Sequence, residues 1–258
     1  MQNNEELNKS AWNSEVIKHN YWTKAVSQEQ IERAKNKDLI LPFLITKPMK
    51  QEWVNELGNK LLLAAAGGGG QQAPLLSAYG KDVTLIDISD LQLKQDEYVK
   101  QRDKLSFKII QGSISEPLPF EANSFDGVIN PVSINFIKSP LPFYKEVHRV
   151  LKIGGAFITA FANPALYMFD VNKLERGKMK IKYTLPFDAD ISLSEKQREK
   201  LIKTSGTFEY SHTLNTLIGS LIDLGFAITG FDTSPSDFEP IDSYLNECYL
   251  AIRAIKQS

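Results

Sequence analysis

The chain has 258 residues, enough for one large domain with appendages, and its 42% hydrophobic and 24% charged content is that of an ordinary globular protein. A formal net charge of −1 leaves no field to draw the whole molecule onto nucleic acid or an anionic membrane, so neither is an expected partner. One cysteine, Cys248, excludes an intrachain disulfide, no apolar run approaches the ~20 residues of a membrane span, and the polar start Met-Gln-Asn-Asn-Glu-Glu is unlike a secretory signal, which together point to the cytoplasm.

Residues 1–56 are rich in Asn, Gln, Glu and Lys and carry all three tryptophans, Trp12, Trp22 and Trp53. Ser27 with Gln30 has the form of a capping box. The zone is too short and polar to bury its own core and reads as a helical extension or cap, anchored by its tryptophans. In residues 57–163 short apolar runs alternate with amphipathic stretches. Leu61–Ala66 reads as a buried strand ending in four glycines, Gln71–Tyr79 as a helix stopped by Gly80, and Val83–Asp87 as a second strand. Ser89-Asp-Leu-Gln92 is a capping-box signature for the next helix, with strands at Phe107–Ile110 and Phe125–Asn130. Ser139-Pro140 places a cap and an N1 proline before a helix whose face is Phe143, Val147, Val150 and Leu151. Gly154-Gly155 is expected to end that helix, ahead of a fifth strand at Ala156–Phe161.

Residues 164–210 lose this periodicity and read as an insertion or lid. Residues 211–258 return to the core. Thr213–Leu224 predicts a helix with Leu214, Leu217, Ile218 and Leu221 on one face and a stop at Gly225, and Phe226–Phe231 and Glu247–Ile255 predict two closing strands paired antiparallel. Strand and helix alternating at this spacing imply parallel strands joined by crossover helices, a doubly wound α/β sheet.

In such a sheet a ligand binds outside the carboxyl ends of the strands, where the strand order reverses. The loop Ala66-Gly67-Gly68-Gly69-Gly70-Gln71-Gln72 falls at that point, and glycine there permits positive φ and leaves room for a ligand against the main chain. Asp87, about 20 residues on, suits the vicinal hydroxyls of a ribose. These features alone leave the cofactor open, because Gly68-Gly69-Gly70-Gln71-Gln72-Ala73 also fits the dinucleotide pattern G-x-G-x-x-A.

Four segments in order resemble the class I S-adenosylmethionine-dependent methyltransferases, particularly their broad type-11 group. They are Leu61–Gly70, Val83–Ser89, the stretch from Gly112-Ser113-Ile114 through Pro117–Phe120 to Asn123-Ser-Phe-Asp126, and Glu146-Val-His-Arg-Val-Leu-Lys-Ile-Gly-Gly155. The resemblance implies a Rossmann-like sheet of seven strands, the last antiparallel, with S-adenosylmethionine as cofactor and a small molecule as substrate. It places the backbone around Ala66, Gly67, Gly68 and Gly70 against the methionine part and Asp87 on the ribose. Ile88 would lie on one adenine face, Ser113 and Ile114 at the adenine edge, and Asn130 beneath the sulfonium. Two positions depart from the family pattern. Ala64 stands where an acid usually helps hold the ammonium, and Ser113 where an Asp commonly accepts from the adenine amino group.

Methyl transfer from a sulfonium is an in-line displacement that needs nucleophile and methyl held at ~3–3.5 Å, and needs a base only when the nucleophile must lose a proton early. No conspicuous catalytic motif is therefore expected. Asn130-Pro131-Val132-Ser133 resembles half of the Asn-Pro-Pro-Tyr motif of nitrogen-directed methyltransferases, and His19 and His212 are candidate bases; structural roles compete for each. His148 is expected at a surface or half-buried position. Tyr167, Phe169, Tyr183 and Phe187 would either wall a substrate pocket or form a small core, and the run Lys173, Arg176, Lys178, Lys180, Lys182 would be a solvated face or a lure for an acidic substrate. No cluster has metal-ligand spacing. The readings left open are a methyltransferase acting on oxygen or nitrogen, an NAD(P)-dependent oxidoreductase, and a non-catalytic S-adenosylmethionine-binding protein.

Overall fold

The computed structural model describes residues 3–58 and 62–258. Leu61, expected to open the first strand, lies outside them.

Three helices, α1 (Asn4–Ile17), α2 (Gln28–Lys35) and α3 (Gln51–Glu56), precede the sheet. The capping box of α2 is complete: the Ser27 hydroxyl accepts the Gln30 N–H, and the Gln30 side chain accepts the Ser27 N–H. β1 (Leu62–Ala65), α4 (Gln72–Ala78), β2 (Val83–Asp87), α5 (Asp90–Arg102), β3 (Lys108–Gln111), β4 (Phe125–Asn130), α6 (Pro140–Val150) and β5 (Leu151–Ala162) follow. Short helices α7 (Val171–Leu174), α8 (Ala189–Ser192) and α9 (Glu195–Lys203) occupy the next stretch. A π-helical turn over Asn215–Gly219 then runs into α10 (Ser220–Asp223), and β6 (Phe226–Ser234), α11 (Glu239–Asp242) and β7 (Tyr249–Lys256) complete the chain.

The strands form one seven-stranded sheet in the order β3-β2-β1-β4-β5-β7-β6. The first five strands are parallel, and β7 runs antiparallel to both its neighbours. Strand order reverses between β1 and β4, which fixes the ligand crevice at their carboxyl ends. Alternating side chains feed two apolar layers: Ala64, Leu85 and Ile129 pack on the side of α4 and the extension, Ala65, Ile86 and Val128 on the side of α6. Trp53 plugs the first layer, its ring lying where a Cβ on Gly230 would stand.

Three local expectations are corrected. Gly154 and Gly155 lie inside β5 rather than ending α6, which stops at Val150. The register jumps from Phe125↔Leu151 to Gly127↔Ala156, so Lys152–Gly155 buckle outward; Gly154 takes φ +77°, and a Cβ on Gly155 would meet the Lys152 carbonyl at 2.8 Å. Ser139 makes no side-chain cap, Pro140 at the helix start serving alone. Leu214 is exposed because the π turn rotates it off the face on which Leu217 and Leu221 are buried.

The Glu146-x-x-Arg149 motif is a structural clamp. Arg149 donates to the carbonyls of Leu118 and Phe120 and pairs with Glu146, which accepts the Leu118 N–H at 2.8 Å. One guanidinium thus fixes the Pro117–Phe120 turn to α6 with its planar fork of donors, and the pairing holds Glu146 below the usual carboxylate range.

Candidate active site

A cavity of about 310 Å³ opens at the switch point, within the size range of small-molecule sites. Ala66, Gly67, Gly68, Asp87, Ile88, Ser113 and Ile114 line it together, as the sequence places them. Gly70 and Asn130 do not. Gly70 faces the extension instead, its carbonyl accepting the Val26 N–H at 2.9 Å.

The loop is shaped by carboxylates. Asp87 accepts the Gly68 N–H on Oδ2 at 3.0 Å and the Ser89 N–H on Oδ1 at 2.8 Å. Gly68 must lack a side chain, since a Cβ there would stand 2.9 Å from Gln92 Cβ and 3.0 Å from Asp87 Cγ. Burial raises Asp87 above the ordinary carboxyl range, the three backbone N–H groups around it opposing that shift. Asp96, unnoticed in the sequence, accepts the Gly69 N–H at 2.8 Å from inside α5. The amides that a dinucleotide loop would aim at a pyrophosphate are therefore spent on protein carboxyl groups, and the Asp87 carboxylate among them would repel phosphate. This geometry argues against the nicotinamide reading.

Asn130 is a girder. Its amide donates to the Ala65 carbonyl at 2.8 Å and to Ser133 Oγ, and its Oδ1 accepts from Thr159 Oγ1 at 3.1 Å, tying β1, β4 and β5 together with no exposed surface. With Oδ1 taken by Thr159 and the side chain fully buried, it offers no acceptor to a substrate N–H. His212 is buried outside the cavity lining, its Nε2 3.2 Å from the Ile134 carbonyl, and burial lowers its pKa; His19 is exposed at the end of α1 with φ 55°. Neither reaches the cavity.

Beyond the loop the cavity continues over Pro131, Val132 and Ser133 to Asn135, Tyr167, Glu209 and Tyr249. Tyr167 donates to Glu209 Oε2 at 2.7 Å and accepts from the Asn135 amide, while Asn135 Oδ1 accepts the Ala162 N–H at 3.1 Å. Thr207 Oγ1 donates to the other Glu209 oxygen at 2.9 Å. Burial, with the Glu209 charge adding to it, raises the Tyr167 phenol well above its usual value, and burial pushes Tyr249 up to about 12, so both stay protonated donors. Tyr167 also stacks on buried Phe187 at 5.6 Å, with Tyr183 edge-on to Phe187, while Phe169 joins a separate cluster with Leu174 and Cys248. The insertion's aromatics thus divide between pocket wall and core.

The third wall comes from the extension: Glu5, Asn8 and Trp12 of α1, Trp22, and Pro42 to Ile45. Asn8 bolts α1 down, donating to the Phe136 and Phe208 carbonyls and accepting the Phe208 N–H at 2.7 Å. Asn13 does the same at the other end, against Ser89, Asp90 and Leu91. Glu5 Oε1 is buried without a partner. Among the described residues lining the cavity, the charged ones are Glu5, Asp87 and Glu209, with no lysine, arginine or histidine. The run from Lys173 to Lys182 lies away from it, mostly in solvent. No group of His, Cys, Asp or Glu among the described residues forms a metal site, and no helix is long and apolar enough to cross a membrane.

Comparison with known proteins agrees with this geometry. A family model described as a methyltransferase domain matches residues 63–159. The uncharacterized methyltransferase YbaJ of Bacillus subtilis is 36% identical over 96% of this chain and 97% of its own length. In structure, an S-adenosylmethionine-dependent methyltransferase from Methanosarcina mazei superposes with a TM-score of 0.59 at 21% identity, covering 81% of this chain and 98% of that one. Another from Mesorhizobium loti gives 0.58 at 17%, covering 78% and 93%; at such identities the likeness concerns the fold.

Proposed function

The chain belongs to the class I S-adenosylmethionine-dependent methyltransferases, and from that premise we propose that it methylates an oxygen or nitrogen of a small, uncharged or basic molecule held between Glu209 and the glycine loop. The nicotinamide and non-catalytic alternatives fall with the same premise.

The residues fit the cofactor. Gly67 and Gly68 line the cavity with bare backbone that a ligand can lie against, and Asp87 keeps lone pairs for ribose hydroxyls. When bound, S-adenosylmethionine supplies a methyl group on an already activated carbon. The protein's part is to position the acceptor, exclude water and receive a proton if one must leave. Trp12, Trp22 and Phe43 exclude water, with residues 1–56 and 164–210 serving as the cover. Glu209 accepts from the acceptor's O–H or N–H, and Tyr167 and Asn135 fix its orientation.

The observation that carries this reading is the charge of the cavity: carboxylates and tyrosines face the acceptor, and no cation lining it would recognise a phosphate or carboxylate. The test is transfer of labelled methyl to a cell metabolite extract split by charge. Label should appear in the neutral and basic fractions; label confined to acidic compounds would overturn the assignment. Stabilisation by S-adenosylhomocysteine in a thermal-shift titration is expected alongside it.

A further inference from the structure

Asp96 carries a second, separate reading. It sits one turn after Gln92 on α5, so the two side chains share a helix face. Both are buried, and both hold an oxygen with no partner, Asp96 Oδ1 and Gln92 Oε1. They converge on the same glycine: Asp96 Oδ2 accepts the Gly69 N–H at 2.8 Å, and Gln92 Oε1 is 2.8 Å from where a Gly69 Cβ would stand. Two buried acceptors without a donor between them are costly, and one proton resolves both.

We propose that Asp96 is a neutral carboxylic acid whose Oδ1–H donates to Gln92 Oε1 while Oδ2 receives the Gly69 N–H, forming a latch that sets the glycine loop in its cofactor-binding shape. A neutral acid also answers the surroundings. Burial, and the charge of Asp87 facing it across the loop, raise the Asp96 pKa well above the ordinary value; the N–H groups of Gly69 and Gly70 oppose this, and no cation does. The competing arrangement turns the Gln92 amide over so that its N–H donates to an ionised Asp96, which places two carboxylates on one loop without a counter-charge. The latch makes Asp96 a positioning residue: it touches the loop and leaves the cavity to others.

The test uses the whole protein without cofactor. Difference infrared spectroscopy of wild type against Asp96→Asn at neutral pH should show a protonated-carboxyl band lost in the variant and retained in Asp87→Asn. Absence of that band overturns the proposal. Asp96→Asn keeps an acceptor for Gly69 and gains an N–H for Gln92, so its affinity for S-adenosylhomocysteine should stay within about threefold of wild type, while Asp96→Ala should lose about tenfold or more. Equal losses in both variants would also overturn it, since an ionised carboxylate would then be what the loop needs. Should Asp96→Ala fail to fold, the infrared comparison still decides. Failure of wild type to bind S-adenosylhomocysteine would count against the family reading and leave the band, measured without cofactor, untouched.

Discussion

The two halves of the cavity are built by different means. The half we assign to the cofactor is made from loops at the ends of β1, β2 and β3, with its loop residues in three short runs: 66–68, 87–88 and 112–114. The half we assign to the acceptor gathers Asn135, Tyr167, Glu209 and Tyr249 from four separate places, and α1 closes it with Glu5 and Asn8. A loop at a strand end is positioned by the sheet, so a local pattern suffices to specify it. A side chain from an insertion is positioned only by tertiary packing, here the stack of Tyr167 on Phe187 and the hydrogen bonds through Asn135.

The sharpest test of the contrast is Asp87→Ala. It removes a carboxylate that holds Gly68 and Ser89 and, on our reading, the ribose; charge-assisted bonds of this kind sum to ~3 kcal/mol, about a hundredfold in affinity. Calorimetric titration with S-adenosylhomocysteine should show that loss, and a change under tenfold would mean that the backbone alone holds the cofactor. Asp96 bears on the same loop through pH. Its pKa is raised on folding, so its contribution to stability is complete below the ordinary carboxyl value of ~3.9 and is lost as pH rises towards the raised value. Denaturant titrations of the cofactor-free protein across that window should lose up to ~1.4 kcal/mol per pH unit to this group, and Asp96→Asn should flatten the slope. An unchanged slope would assign the titration to another carboxyl.

In the acceptor half, Glu209→Gln should act on turnover alone. It retains an acceptor for Tyr167 but loses its charge, so kcat/KM for the acceptor identified by labelling should fall about tenfold, with S-adenosylhomocysteine affinity changed less than about twofold. A comparable fall in both would show that the halves are not independent.

How much of this was legible follows the same division. Hydrophobic periodicity located the seven strands, most firmly β2, β4 and β5, whose apolar runs are buried on both faces of the sheet, whereas β3 and β6 are partly exposed. The glycine loop and Asp87 were legible because their chemistry is local. Asn130 was misplaced because its strand position is right while its side chain is consumed by Ala65, Ser133 and Thr159, partners that only the folded sheet supplies. Glu209 gave no signal, lying in a stretch without periodicity, and Asp96 was one acid among several on an amphipathic helix. A polar residue on the buried face of a helix was the available clue to Asp96, since Leu93 and Val99 mark that face.

Ala66 separates the two contributions at the loop most finely. It holds φ +50° without being glycine, a left-handed conformation that costs an alanine ~1–2 kcal/mol. Its N–H still donates to the Ile86 carbonyl at 2.8 Å, so the turn is enforced by the sheet. Ala66→Gly relieves that strain but frees the unfolded chain by ~0.4–1 kcal/mol, leaving a net gain of up to ~1.6 kcal/mol and a rise in Tm of at most about 5 °C. Its methyl also rests on the layer of Ile86 and Val128, and a net loss of stability would show that this packing, rather than backbone freedom, decides the residue. If the variant gains stability while binding S-adenosylhomocysteine within about twofold of wild type, the loop's shape is set by its carboxyl anchors, Asp87 and Asp96, and the number of glycines in the run matters less than where its amides are held.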